Sequence, residues 1–241
     1  MQNRYAGDIG DFGKLGLLRR FSKSGLRIGI NWYLTPDEKR TGDGRHISYL
    51  KNSSFQECDA KLWEGLRKIV FSGQRNIAAL ENSGLLTAQY FSDELNFLNK
   101  FPAERKAERE VWIRRSLDEL HGCDLLFVDP DNGLIVPSAD KTSKSNKYVL
   151  PSELAKYYKQ GASVVYYQHK ARRPDAFYVR QHLSLVENDD FPSVGSLGVK
   201  FVTTSLRYYF CLMQPFHENV IQEAVQKMLA SAWGKHFQKI L

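Results

Sequence analysis

Two carboxylates spaced two residues apart, just past an apolar run, are the part of this 241-residue sequence best placed to do chemistry. The run is Leu125-Leu126-Phe127-Val128, and Asp129-Pro130-Asp131-Asn132-Gly133 follows it. A short apolar stretch bounded by turn residues reads as a buried strand. Pro130 has no backbone N–H to give to a central ladder, so the strand must stop near Asp129. In open α/β sheets, ligands bind beyond the carboxyl ends of the strands. Asp129 is then placed at that edge, able to accept a hydrogen bond from a ligand without being needed for core packing. Asp131 and Asn132 follow in a turn that lets backbone approach a ligand. The same residues also suit an ordinary turn, since Asp, Pro, Asn and Gly are all common there.

Other polar groups fall at predicted strand ends. His169 closes Val164-Val165-Tyr166-Tyr167-Gln168, and Lys170, Arg172 and Arg173 follow it as a basic rim facing a substrate. His46 lies beside Gly44 and Arg45 in a polar loop. Glu81 follows Ile77–Leu80, read as a short strand, where an acidic residue can hold a ribose hydroxyl. Cys58, Cys123 and Cys211 are odd in number and widely separated, and no histidine spacing suggests a metal site. Cys123 and Cys211 sit in apolar contexts and read as packing residues.

These groups need a scaffold, and the periodicities supply one. Asp8 can cap a helix running to about Ser24, with Leu15, Leu18 and Phe21 at helical spacing. Gly10, Gly13 and Gly16 cost such a helix about 1 kcal/mol each. Either something approaches this backbone closely, or the segment is loop before Lys14. Strands are expected at 27–34, 89–91, 125–128, 162–169, 194–203 and 205–213. Helices are expected at 59–72, 100–120, 150–160, 174–187 and 217–238. Val111, Trp112, Leu117 and Leu120 form the apolar side of the second, and residues 140–147 read as a mobile polar loop. The alternation predicts an α/β fold: a mostly parallel, doubly wound sheet with helices on both faces and a C-terminal antiparallel strand pair. One domain spans residues 1–241, with room for a small helical insertion around 92–120.

A hydrophobic share of 42% with 25% charged residues fits a globular chain, and no apolar run approaches the ~20 residues that span a bilayer. No membrane partner is expected, and the N-terminal segment lacks the apolar core of a secretory signal, which points to a cytoplasmic protein. A net charge of +7 and a pI near 9.2 favour a polyanionic partner such as nucleic acid. Oligomeric state is not readable from the sequence.

Several of these segments, in order, resemble the large-subunit rRNA adenine methyltransferase family called RlmJ-like, which has a class I S-adenosylmethionine fold. Its Gly-Asn-x-x-Asp-x-x-Lys opening is similar to Gly7-Asp8, Asp11 and Lys14. Its strand and glycine-rich loop, about Tyr-Leu-Asp-Thr-His-Ala-Gly-x-Gly-Arg, resemble Tyr33-Leu34 followed, after a longer loop, by Gly42-Asp43-Gly44-Arg45. Its Asp-Pro-Pro-Tyr resembles Asp129-Pro130-Asp131-Asn132, with Asn132 in place of the aromatic residue. The resemblance implies S-adenosylmethionine as cofactor, bound through Lys14, Tyr33, Gly42, Gly44 and Arg45, with Glu81 as a further contact. It implies that Asp129 and the Pro130 carbonyl accept the target amine, in nucleic acid or another acceptor. Tyr166, Tyr167 or His169 would stack in place of the missing aromatic. Two rival functions share these residues. Asp129-x-Asp131 after an apolar strand also suits a magnesium-dependent phosphoryl-transfer hydrolase. A non-catalytic nucleic-acid-binding module of the same fold is the other.

Overall fold

Alternate side chains of the central strand feed two different cores, and the rest of the fold follows from that. Leu125 and Phe127 face one core, while Leu126 and Val128 face the other. All four residues are buried, as expected of a strand covered on both sides. The computed structural model describes residues 1–38, 44–187, 189–191, 194–203 and 205–241.

The strands in chain order are β1 (Ile28–Asn31), β2 (Gln89–Phe91), β3 (Leu125–Val128), β4 (Gly133–Leu134), β5 (Tyr148–Val149), β6 (Ser163–His169), β7 (Gly195–Val202), β8 (Leu206–Met213) and β9 (Phe237–Lys239). The α-helices are α1 (Ile9–Lys23), α2 (Ser53–Gln56), α3 (Ala60–Phe71), α4 (Ile77–Glu81), α5 (Pro102–Glu119), α6 (Pro137–Asp140), α7 (Pro151–Lys159), α8 (Asp175–Val186) and α9 (Glu218–Leu229). Seven strands form the main sheet in the order β2-β1-β3-β6-β8-β7-β9, and β4 pairs with β5 in a separate two-stranded ribbon. β2, β1, β3 and β6 are mutually parallel. β8 runs antiparallel between β6 and β7, and β9 adds an antiparallel edge. This is the expected Rossmann-like α/β architecture with its C-terminal antiparallel pair.

One face is covered by α1, α3 and α9, whose Phe12, Leu66 and Ile221 are buried against the sheet. The other is covered by α5, α7 and α8 through Trp112, Tyr157 and Tyr178. The glycines of α1 have the close neighbours that their cost implied. A Cβ on Gly13 would lie 2.6 Å from the Phe201 ring, and one on Gly16 would lie 2.3 Å from that of Trp233. The helix therefore runs unbroken from Ile9, with its backbone pressed onto β7 and the C-terminal turn.

Four local expectations are corrected. Ile77–Leu80 is not a strand but opens α4, because Asn76 caps it by accepting from the Ala79 N–H, and Ile77 and Leu80 share its buried side. Val111 is exposed, and Arg109, Trp112, Ile113 and Ser116 form the buried side of α5. Residues 143–147 are a 3-10 turn with Ser145 and Asn146 buried, since Arg109 Nη1 donates to the Ser145 carbonyl and Asn146 to that of Leu95. The last helix stops at Leu229, after which Ser231 caps a 3-10 turn that delivers β9 to the sheet.

Replacing Gly16 by alanine tests the packing of α1, since helix propensity and crowding oppose each other. Propensity alone favours alanine by about 1 kcal/mol, whereas overpacking a tight contact costs about 1–3 kcal/mol. Gly16→Ala is expected to lower the urea midpoint without changing the slope. A raised midpoint would mean that Trp233 yields freely.

Candidate active site at the end of the central strand

The spacing Asp8, Asp11, Lys14 places three charged side chains along one side of the first turns of α1. Asp8 caps the helix, its Oδ1 accepting from the N–H groups of Gly10 at 2.7 Å and Asp11 at 3.2 Å. Asp11 turns back to accept from the Gly7 N–H at 2.8 Å. Its other oxygen takes Lys14 Nζ at 2.8 Å. Lys14 also donates to Asp129 Oδ2 at the carboxyl end of β3, and its ammonium lies 5.1 Å from the centre of the Trp32 ring. All three partners of this ion cluster are buried: Asp11 is 1% exposed, and Lys14 and Asp129 are 4% exposed.

Burial works against every charge here, and the partners decide the outcome. For Lys14, burial alone would lower the pKa, but Asp11 and Asp129 outweigh it and hold the ammonium charged beyond its ordinary range. For Asp129, burial dominates and raises the carboxyl above its usual value, even with Lys14 and the Met1 ammonium opposing it. Asp8 is likewise raised by burial, with Arg207 opposing. Burial pushes Asp131 upward too, but the Met1 ammonium at 2.7 Å, Gln2 at 2.8 Å and Lys147 at 3.8 Å hold it below the ordinary carboxylate range.

The turn after Asp129 is built as tightly as its sequence suggests. Gly133 has φ +101°, and a Cβ there would fall 2.2 Å from Gln168 Oε1. That oxygen accepts from the Leu134 N–H at 2.9 Å, while Gln168 Nε2 donates to the Asn132 carbonyl at 3.1 Å. Gln168 on β6 thus anchors the turn, a role that the sequence did not reveal.

Above this floor opens a cleft of about 380 Å³, within the range of small-molecule sites. Asp129, Pro130, Asp131 and Asn132 line it together with Lys14, Gly44 and His169, as does His46. Five carboxylates (Asp8, Asp11, Glu38, Asp129 and Asp131) meet three cationic side chains (Lys14, Lys147 and Arg207) in its lining. The Met1 ammonium lines it too, so in this basic chain the cleft sets five carboxylates against four cations. Arg207, Tyr209, Ser205 and Glu38 are lining residues not singled out from the sequence.

The remaining expected site residues do not converge there. Tyr33 has φ +46°, is fully buried on the opposite face and donates to Glu153 at 3.2 Å. Glu81 accepts from the Trp32 indole at 2.9 Å, away from the cleft lining. Arg45 is exposed and outside the lining, and Gly42 lies outside the described residues. Lys170 is held by Asp175 at 2.9 Å, and Arg172 is exposed beyond the cleft. Of the three candidate stacking residues, Tyr167 and His169 line the cleft, whereas Tyr166 is buried on the other face with its hydroxyl 3.0 Å from His182. Asp129 is itself part of a buried ion cluster, which corrects the expectation that packing does not need it. Met1 lies across the gap between β1 and β3, its nitrogen donating to the carbonyls of Tyr33 and Asp129, each at 3.0 Å.

No family model matches the chain, and no curated protein matches it. Among solved structures, the crystal structure of protein LPL1258 from Legionella pneumophila str. Philadelphia 1, of family DUF519, is similar with a TM-score of 0.50. The two chains are 10% identical over 98% of this one and 97% of that one, a likeness of fold alone. No described helix is long and apolar enough to cross a membrane.

Lys14→Met would leave Asp11 and Asp129 buried without their shared cation, at an expected cost of about 3–5 kcal/mol. The pH dependence has a definite sign. A carboxyl whose folded pKa is raised binds its proton more readily in the folded state, so falling pH favours folding. Urea midpoints of parent and Lys14→Met should therefore converge between pH 7.5 and pH 5. A gap that stays constant would mean that Asp129 is not the group left uncompensated.

Proposed function

We propose that the cleft is the active site of an S-adenosylmethionine-dependent methyltransferase acting on an amine, with nucleic acid as the favoured acceptor. The observation that carries this reading is a carboxylate-rich cleft at the carboxyl end of β3 with Asp129 on its floor, in a chain of net charge +7. A sulfonium and an amine both suit such a lining better than a phosphate does. The antiparallel β8 beside β6 gives the sheet the ending usual in class I methyltransferases, which supports the same reading.

The residues present fit such a donor in part. Lys14 and Gly44, two of the positions that the resemblance implies, line the cleft, and Tyr167 and Tyr209 offer aromatic surface to a cation. When bound, the donor supplies an electrophilic methyl group for an in-line displacement. The chain's own part is orientation, which provides most of the acceleration in such a reaction. Asp129 would accept a hydrogen bond from the amine and align its lone pair. Lys14 would fix the Asp129 carboxylate, since it is itself fixed by Asp11. The carbonyl of Pro130, which also lines the cleft, would be the second acceptor for the amine.

A polyanionic acceptor would be met outside the cleft. Lys141 and Lys144 precede Lys147, and Arg172 and Arg173 follow His169; all four are exposed. Such contacts predict binding that weakens steeply with salt. For the magnesium-hydrolase alternative, Asp129 and Asp131 would need to share one ion. Asp129 turns to Lys14, and Asp131 to Met1 and Gln2, which favours methyl transfer over that reading.

Calorimetric titration with S-adenosylmethionine and S-adenosylhomocysteine tests the donor first, and absence of heat and of any thermal shift with both would sink it. Asp129→Asn should remain folded, because Lys14 keeps Asp11, and should retain donor affinity. It should lose methyl transfer to total RNA or DNA by about 100-fold or more, roughly 3 kcal/mol of barrier. Asp131→Asn should act more mildly; an equally severe loss would favour the hydrolase. Transfer by Asp129→Asn at the parent rate would make Asp129 structural.

A further inference from the structure

Along the wall of the cleft, β6 and β8 pair antiparallel with Tyr167 opposite Tyr209 and His169 opposite Arg207. Strand alternation puts these four side chains on one face of the sheet, as an aromatic pair beside a basic pair. All four line the cleft. The Tyr167 hydroxyl lies 3.2 Å from His169 Nδ1. Arg207 reaches Ser205 Oγ at 2.5 Å and Asp8 at 3.7 Å. Its side chain passes so close to α1 that a Cβ on Gly10 would lie 2.6 Å from Arg207 Nε, which accounts for that glycine.

Tyr209 differs from the other three. It is 1% exposed, and its hydroxyl has no hydrogen-bond partner among the described residues. An unpaired buried hydroxyl costs stability, and folded proteins keep few of them. Phe210, Cys211, Leu212 and Met213 follow on the same strand, so phenylalanine at position 209 would suit the packing without that cost.

We propose that Tyr209 is a ligand-contacting residue of this cleft, its hydroxyl completing its hydrogen bond to the molecule seated against Asp129 and Lys14. Burial holds the phenol above its ordinary pKa, so the group offers an O–H. The lining also carries carboxylates, which accept, cations, which select for negative charge, and the neutral Tyr5, Asn132, Tyr167 and Ser205. Tyr209 adds to these a neutral donor whose hydroxyl has no partner among the described residues. Such a donor recognises an uncharged acceptor, such as a ring nitrogen or a hydroxyl or carbonyl oxygen, without altering the charge balance of the site. The ligand is therefore one that combines an amine or cationic centre, for Asp129, with an uncharged acceptor within the same cleft. The proposal rests on the methyl-donor reading only for the choice of probe.

The test is Tyr209→Phe in the full chain, followed by melting temperature without ligand and by thermal shift and calorimetry with S-adenosylhomocysteine. The expected result is an unliganded melting temperature equal to or above the parent's, with affinity for S-adenosylhomocysteine at least tenfold weaker. Parent-like affinity would overturn the proposal. So would a lower unliganded melting temperature, because the hydroxyl would then be bonded within the protein. Should the parent itself take up neither S-adenosylhomocysteine nor S-adenosylmethionine, that counts against the methyl-donor reading, and the unliganded comparison decides for Tyr209. Melting at or above the parent's temperature then supports a hydroxyl kept for another ligand, and melting below it overturns that role.

Discussion

A single ammonium joins the two parts of the chain that make the cleft. Lys14 sits between Asp11, three residues away on the same helix, and Asp129, 115 residues away at the end of β3. Removing this charge from water is costly, and the two carboxylates beside it offset that cost. The ion cluster therefore constrains how α1 lies against the sheet. The rest of α1 is consistent with that constraint, since its glycines remove the side chains that would hold the helix away from Phe201, Trp233 and Arg207. A sequence feature that is unfavourable for an isolated helix is thus part of what lets the first helix reach the central strand.

What could be read from the sequence follows the range of each physical signal. The strand at Leu125–Val128 was legible because proline, aspartate and glycine end an apolar run in a way that few other conformations tolerate. The C-terminal hairpin was legible from two β-rich runs and a short connection. The short α4 was not, because a few apolar residues carry no measurable period, and the Asn76 cap decided its conformation. Arg207 and Tyr209 were hidden for a different reason. They sit in Leu206–Met213, whose residues read as one continuous buried strand, and only its pairing with β6 shows that two of them face a cleft. Tyr33 shows the opposite failure: its position after β1 suited a ligand contact, yet a left-handed backbone and a bond to Glu153 turn it into the far core.

The same contrast separates fold from activity. Strand order, pairing and the two cores give a Rossmann-like sheet whose outline is shared, at 10% identity, with the Legionella protein. Outlines of this kind host many chemistries, so the argument for function has to come from the site. Asp129, Lys14 and Gly44 are brought to one cleft by the fold, whereas Tyr33, Arg45 and Glu81 point to three different places.

Charge separation within the molecule gives the site its chemical character. The chain is basic overall, yet its cleft gathers more carboxylates than cations, and the balance is fixed by burial. Exposed lysines and arginines act through water and weaken as salt rises. The buried carboxylates at the floor are screened far less, so they discriminate between ligands on contact and at any ionic strength. Under the proposed function, a polyanionic acceptor would be attracted by the exposed Lys141, Lys144, Arg172 and Arg173, while the carboxylates of the floor would favour its amine over its phosphates. Burial raises the pKa of Asp129 and Asp8, so a cation entering beside them would favour their charged forms. Lys14, itself held by Asp11, fixes Asp129 in the geometry in which such a ligand would meet it.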